Sequence, residues 1–111
     1  MLKSNQRLSK QRIATILKRG RIKHSQYFNI KFLKNQQNHP RYSVIISKKV
    51  EKLATKRNRL RRQIYEIVNT EKIAPLNLDF AIICKKQCTE INFQELQTKL
   101  IDTINNIDNK A

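Results

Sequence analysis

The chain has 111 residues, of which 39% are hydrophobic, and 24 Lys and Arg against 8 Asp and Glu give it a formal net charge of +16. This length predicts one domain over residues 1–111, ordered from about 7 to 107 with frayed ends. The sequence has no apolar run long enough to span a bilayer, and the basic segment Met1–Arg7 lacks the apolar stretch of a signal peptide. Two cysteines in such a chain indicate reduced thiols. We therefore expect a cytoplasmic protein with no membrane partner.

The charge is concentrated in the first two-thirds of the chain. Residues 1–70 hold 19 basic and 2 acidic side chains, whereas residues 71–111 hold 5 and 6. Self-repulsion on this scale disfavours a compact state, which indicates a polyanionic partner. The binding surface is therefore expected in the N-terminal part, with the remainder as scaffold.

The first predicted element is a helix over Leu8–Arg19. Ser9 can cap its start and Gly20, the only glycine, can cap its end, while three apolar residues recur at helical spacing, namely Ile13, Ile16 and Leu17. A strand follows over Tyr27–Leu33, where apolar and other residues alternate. Its apolar face consists of Phe28, Ile30 and Phe32, which favours core over a stacking platform.

A second strand is predicted over Arg41–Ser47, after a polar turn at residues 35–40. Val44, Ile45 and Ile46 place apolar side chains on both faces, which predicts a central strand. The short turn favours a hairpin between the two strands.

The next segment, Lys48–Arg62, carries eight Lys or Arg in fifteen positions, yet apolar residues recur within it. This combination predicts a cationic helix docked on a core, over about residues 53–69, rather than a solvated charged face. The predicted apolar side consists of Leu53, Leu60, Ile64, Ile67 and Val68. Arg57 falls at the edge of that side, so we expect its stem along the sheet and its guanidinium in a crevice. A structural ion pair of Arg57 with Glu66 or Asp79 is the alternative.

The last third predicts a buried strand over Leu78–Cys84 and a helix that starts after Asn92 and carries an apolar stripe to Ile107. The order helix–strand–strand–helix–strand–helix predicts a small single-domain α+β sandwich. In it, strand 41–47, helix 53–69 and strand 78–84 form a crossover unit.

The sequence does not predict a catalytic or metal-binding site in the protein itself. Cys84 and Cys88 have no further ligands at zinc spacing, so a buried Cys84 and an incidental Cys88 are expected. His24 and His39 lack a carboxylate or nucleophile cluster for acid–base work. Asp79 and Glu90 are interpreted as turn or cap residues rather than magnesium ligands.

The chain resembles the protein component of bacterial ribonuclease P from about residue 7 to 105. The resemblance is carried by Arg57-Asn58-Arg59-Leu60-Arg61-Arg62 shortly after Ser47-Lys48-Lys49, with Ala54, Arg7-Leu8, Gly20 and Gln26 also in place. It implies a left-handed crossover through the basic helix, against a rule that about 98% of such units obey. It also implies that an RNA subunit removes the 5′ leader of precursor tRNA. Magnesium for that reaction would be held mainly by RNA, with no cofactor on the protein and no obligate protein partner.

The resemblance further implies which residues contact RNA. The helix residues are Arg57, Asn58, Arg59, Arg61 and Arg62, supported by Lys48, Lys49, Lys52 and Lys56. Arg57 and Arg59 are the first candidates for fixed phosphate contacts, since Arg can bind phosphate in a bidentate way. A leader cleft between the first helix and the sheet implies Ile13, Leu17, Tyr27 and Phe28 as contacts.

The chain departs from the family pattern at two places. Ile13 and Leu17 stand where aromatics are usual, and Glu51 stands where a glycine is common. Three function classes fit the charge: a ribonucleoprotein enzyme subunit, a non-catalytic RNA-binding protein such as a ribosomal protein, and a helix-type DNA binder. The last lacks a helix-turn-helix pair. The first two differ in whether the RNA partner cleaves precursor tRNA.

Overall fold

The computed structural model describes residues 8–37, 39–70 and 77–107, and within these ranges it contains three α-helices, four strands and a short 3₁₀ helix. The predicted fraying of the two ends lies outside the described residues. The helices and strands in chain order are α1 (Lys10–Arg19), β1 (Arg21–His24), β2 (Phe28–Lys34), β3 (Arg41–Ile45), α2 (Ala54–Thr70), β4 (Leu78–Cys84), the 3₁₀ helix (Lys86–Glu90) and α3 (Phe93–Asn105). The predicted α+β class is confirmed, with one more strand than the sequence pattern indicated.

The four strands form one sheet in the order β1-β2-β4-β3. β4 pairs antiparallel with β2 and parallel with β3, so α2 crosses between two adjacent parallel strands, as the crossover prediction required. The predicted hairpin between β2 and β3 is wrong, because β4 lies between them. The prediction of a central strand at 41–47 is also wrong, since β3 is an edge. All but one of the seven residues of β4 are buried, which explains why β4 takes the interior position.

The true hairpin joins β1 to β2, with Arg21 opposite Phe32 and His24 opposite Asn29. The strand β1 could not be predicted from the sequence, because its four residues, Arg-Ile-Lys-His, contain one apolar side chain and none of the four is buried. An edge strand that buries so little carries no hydrophobic alternation.

The helices cover opposite faces of the sheet. Phe28, Ile30 and Phe32 of β2 lie in one apolar core with buried residues of α2 and α3, including Leu60, Ile64, Ile67, Leu96, Leu100 and Ile104. Successive residues of a strand point to opposite faces. Lys31 therefore points to the other face, where its Nζ donates to the α1 carbonyl oxygen of Leu17 at 2.6 Å. The predicted core role of the three β2 residues is confirmed, and α1 stands alone on its face among the described helices.

Both predicted caps of α1 are confirmed, although Gly20 acts by its size. The Ser9 side chain accepts from the backbone N–H of Arg12 at 3.1 Å. Gly20 has φ of −67°, a conformation open to any residue, but a Cβ there would collide with the carbonyl oxygen of Ile16. The chain thus turns directly from α1 into β1 because no side chain obstructs it.

Asp79 ties α1 to the sheet, which corrects its interpretation as a turn or cap residue. Its carboxylate lies near the start of β4 with 0% exposure. Oδ1 accepts from Asn35 Nδ2 and Arg41 Nε, both at 2.8 Å, and Oδ2 accepts from Arg12 Nε at 2.7 Å and Arg41 Nη2 at 2.8 Å. Burial alone would raise the pKa of Asp79, but the hydrogen bonds from Arg41, Asn35 and Arg12 outweigh it and lower that pKa.

Candidate nucleic-acid interface

Helix α2 presents a cationic surface because its apolar residues are buried in the core. Leu60, Ile64, Ile67 and Val68 are buried, as predicted. Leu53 is not: it precedes α2 with 54% exposure, and its carbonyl oxygen accepts the N–H of Arg57 at 3.0 Å. With its apolar side fixed, α2 leaves its basic side chains facing solvent.

The predicted RNA-contacting residues fall on the turn after β3 and on α2. Lys48, Lys49 and Lys52 are exposed in the connection, and Lys56, Asn58, Arg59 and Arg62 are exposed on the helix, while Arg57 and Arg61 are half-buried. Asn58 Oδ1 accepts from Arg61 Nη1 at 2.9 Å, which orients that guanidinium along the helix. The structure therefore places all nine predicted side chains on α2 and the connection that leads into it, and seven of them are exposed.

Arg57 is the most strongly constrained cation of the set, as expected, but by different contacts. Its Nη1 donates to the carbonyl oxygens of Glu51 and Lys52, both at 2.9 Å. The guanidinium thus folds back onto the connection between β3 and α2 instead of lying along the sheet. An ion pair with Asp79 is ruled out, since the described cationic partners of Asp79 are Arg12 and Arg41. Arg57 therefore fixes the loop that carries Lys48, Lys49 and Lys52.

We predict that Arg57→Ala lowers the free energy of unfolding by about 1–2 kcal/mol, because two loop carbonyl groups lose a charged donor. The Arg57 side chain is half-exposed, so water can donate hydrogen bonds to the two carbonyl groups in the variant and offset part of the lost stability. Arg59→Ala is the matched control and should change the stability by less than about 0.5 kcal/mol, since Arg59 is exposed. Urea unfolding of both variants measures the difference. Equal stability of the two would contradict the structural role of Arg57.

The basic side chains of α2 separate into two grooves that flank the helix. The groove between α2, the 3₁₀ helix and α3, here named the inner groove, is lined by Glu51, Lys56, Arg59, Leu60, Gln63, Cys88, Thr89, Ile91 and Leu96. The outer groove is lined by Thr55, Asn58, Arg61, Arg62 and Tyr65. The grooves themselves could not be predicted from the sequence, because the inner groove depends on the position of α3.

The predicted leader contacts do not all lie together. Ile13 and Leu17 are half-exposed on α1, as a cleft wall requires. Phe28 is fully buried in the core shared with α2 and α3, so it cannot reach a ligand. Tyr27 packs against that same core and lies beside Lys99 and Asp102 of α3, away from α1. Burial therefore excludes Phe28 as a leader contact, whereas Ile13, Leu17 and Tyr27 stay predictions that do not lie on one wall.

A row of side chains that sequence analysis missed crosses the face occupied by α1. Asn29 of β2 is opposite Ile83 of β4, which is in turn opposite Ile45 of β3, and all three are half-exposed. The row continues to β1, where His24 Nδ1 and Asn29 Oδ1 are 3.0 Å apart. The signal was the strand alternation, which identifies a common face only once the strand order is known.

The residues that could bind a metal ion are dispersed in the described part of the chain. Within residues 8–37, 39–70 and 77–107, no cluster of three or more His, Cys, Asp or Glu is arranged to hold a metal ion. Cys84 and Cys88 are both free and buried, and a hydrogen bond with Cys88 together with burial raises the pKa of the Cys84 thiol. The described helices also include none that is long and apolar enough to cross a membrane.

The chain is similar to proteins of one family over almost its whole length. The model of the family "Ribonuclease P" matches residues 2–108. A ribonuclease P protein component of Streptococcus agalactiae is 33% identical over 89 residues, which is 80% of this chain and 81% of the relative. That of Thermotoga petrophila is 30% identical over 99 residues, covering 85% and 84%.

Solved structures show the same arrangement of helices and strands. The RNase P protein of Thermotoga maritima superposes with a TM-score of 0.84 at 29% identity, covering 92% of this chain and 97% of that one. The RNase P protein of Staphylococcus aureus, at 22% identity, has the same fold with a TM-score of 0.72 and covers 97% and 98%.

Proposed function

We propose, because the chain belongs to the bacterial ribonuclease P protein family, that α2 binds the catalytic RNA. We further propose that α1 and the sheet hold the 5′ leader of precursor tRNA. Members of the family are the protein component of the ribonucleoprotein endoribonuclease that matures tRNA 5′ ends. This chain is therefore the protein subunit of such a holoenzyme, with ribonuclease P RNA as its partner. Membership of this family excludes the ribosomal-protein and DNA-binding alternatives.

The observation that carries the assignment of α2 is the row of free cations on its exposed side. Among the described residues, Lys56, Arg59 and Arg62 make no hydrogen bond or ion pair, so their charges are available to phosphates. Lys48, Lys49 and Lys52 extend this surface along a connection that Arg57 fixes. A phosphate backbone laid along α2 would displace condensed counterions, so binding should weaken steeply with salt.

We place the leader on the opposite face of the sheet. That face carries the half-exposed Ile13 and Leu17 of α1 and the half-exposed row of Asn29, Ile83 and Ile45. Aliphatic side chains can contact an unstacked base, and Asn29 supplies an amide for hydrogen bonding. The chemistry of phosphodiester hydrolysis would lie with the RNA and with magnesium held mainly by it. We propose a cytoplasmic location, supported by the two free cysteines.

The leader assignment predicts a specific defect for Ile13→Ala in the assembled holoenzyme. Loss of apolar contact worth about 1 kcal/mol would weaken binding of a precursor tRNA with a single-stranded leader about fivefold. Binding of tRNA without a leader should stay unchanged. The measurement is the Kd of each tRNA by filter binding. Ile101→Ala, which truncates a half-buried isoleucine on α3, is the matched control. The same leader dependence in both variants would contradict the assignment.

A further inference from the structure

The inner groove combines an apolar floor with a cationic rim. Its floor includes the buried side chains of Leu60, Cys88 and Leu96, together with half-buried Ile91. Lys56 and Arg59 line its edge from positions three residues apart on α2. A recess with apolar side chains beside the cations of α2 is not needed for binding phosphates alone, because phosphate contacts need only exposed donors.

Three polar groups face this concavity. The Gln63 amide is half-buried and has no hydrogen-bond partner among the described residues. The Thr89 hydroxyl donates to the Lys86 carbonyl oxygen at 2.7 Å, which leaves its oxygen free to accept. One oxygen of the Glu51 carboxylate accepts from the N–H of Leu53 at 3.2 Å, and the other is open. The groove therefore offers donors and acceptors beside its apolar side chains.

The size of the groove limits what it can take. Its volume is about 250 Å³, below the roughly 300–1,000 Å³ of pockets that hold drug-sized ligands. One heterocyclic ring with its attached groups is the matching occupant. Unpaired bases of RNA are commonly recognised in this way, by a surface under the ring and hydrogen bonds to its edge.

We propose that the inner groove receives one unpaired base of the catalytic RNA, with the flanking phosphates on Lys56 and Arg59. The proposal rests on the proposed function and adds base recognition to a surface otherwise assigned to the phosphate backbone. Side chains three positions apart on a helix lie about 5–6 Å apart, so the two cations can contact the phosphates on either side of a single nucleotide.

The position of the groove selects the catalytic RNA over the leader as the source of the base. The groove is formed by α2, the 3₁₀ helix and α3, on the face of the sheet opposite α1. A leader seated against Ile13 and Leu17 would have the sheet between itself and the groove. The groove is instead continuous with the cations of α2, through Lys56 and Arg59.

Chemical probing of the catalytic RNA tests the proposal directly. Dimethyl sulfate, kethoxal and a carbodiimide together report the accessibility of the pairing edges of all four bases. Wild-type protein should protect one unpaired base, and Thr89→Trp, which fills the groove, should restore its reactivity and raise the Kd for the RNA about tenfold. Thr98→Trp, the same change at an exposed position of α3 outside the groove, should behave as wild type.

Two further measurements distinguish loss of the base site from misfolding of the variant. Circular dichroism establishes that Thr89→Trp is folded, and Gln63→Met, which removes the amide without adding bulk, should expose the same base. Protection and affinity that remain equal in Thr89→Trp, Gln63→Met and Thr98→Trp would overturn the base site while leaving backbone binding by α2 in place. Absence of any RNA binding by the wild-type protein would instead overturn the proposed function as well.

Discussion

Asp79→Asn should lower the free energy of unfolding by about 3 kcal/mol, the largest loss expected from a single isosteric change in this protein. Removing one partner of a buried ion pair costs about 3–5 kcal/mol, because the remaining charge stays in place without compensation. The lower end applies because Arg12 and Arg41 keep 28% and 24% of their side-chain surface exposed, whereas Asp79 keeps none. The asparagine would also turn an amide donor toward guanidinium donors.

Urea unfolding measures this loss as a lower midpoint at an unchanged dependence on denaturant. Asp102→Asn is the matched control, since it makes the same chemical change at an exposed position of α3 and should shift the stability by no more than about 0.5 kcal/mol. Similar midpoints for the two variants would show that the Asp79 network contributes little.

The same carboxylate should make stability depend on acid pH. The folded-state pKa of Asp79 lies below its ordinary value, so the unfolded chain takes up the proton first as the pH falls. Its contribution is complete above the unfolded pKa of about 3.9 and is lost as the pH falls through the folded value. Stability measured on both sides of about pH 4 should therefore fall less in Asp79→Asn than in the wild type.

Arg59→Ala combined with Arg62→Ala should weaken binding of the catalytic RNA by at least about tenfold and lower the salt dependence by about one unit for each cation removed. Both side chains are exposed and have no partner among the described residues. Stability should thus remain within about 0.5 kcal/mol of the wild type, so that the loss of affinity is a loss of contacts.

A charge-matched variant separates this contact from the general charge of the protein. Arg19→Ala with Arg21→Ala removes the same charge from exposed positions at the end of α1 and in β1. Titration of the RNA at several salt concentrations gives the Kd and the slope for each double variant. Equal losses in the two would mean that net charge, rather than the surface of α2, determines the affinity.

The sequence was sufficient to predict the elements whose signals are local. The basic helix and its buried side depended on helical periodicity alone, and the structure confirms Leu60, Ile64, Ile67 and Val68 in the core. The caps of α1 likewise involve neighbouring residues, with Ser9 bonded to Arg12. Such interactions are encoded within a few positions of one another.

The order of the strands could not be predicted in the same way, because it depends on pairing between distant residues. The short connection after β2 favoured a hairpin with β3, but β4 buries nearly all of its residues and lies between the two. Asp79 was misassigned for the same reason. Its partners Arg12, Arg41 and Asn35 lie 38 to 67 positions away along the chain.

The sequence predicted which residues belong to the RNA-binding surface but not how they are arranged in space. Charge and family resemblance identified the cations of α2, whereas the loop contacts of Arg57 and the division into two grooves depend on how the connection and α3 pack. The leader candidate Phe28 is wrong because strand alternation gives two faces without indicating which one α1 covers, and Phe28 is buried on the other face.

The most direct test of the account is reconstitution of the holoenzyme from this protein, a bacterial ribonuclease P RNA and 5′-labelled precursor tRNA at low magnesium. We expect mature tRNA 5′ ends only when both subunits are present, with less product when the protein carries Arg59→Ala and Arg62→Ala. Binding of the RNA without any stimulation of cleavage would contradict the role as an enzyme subunit. Cleavage by the protein alone would contradict the assignment of the chemistry to RNA.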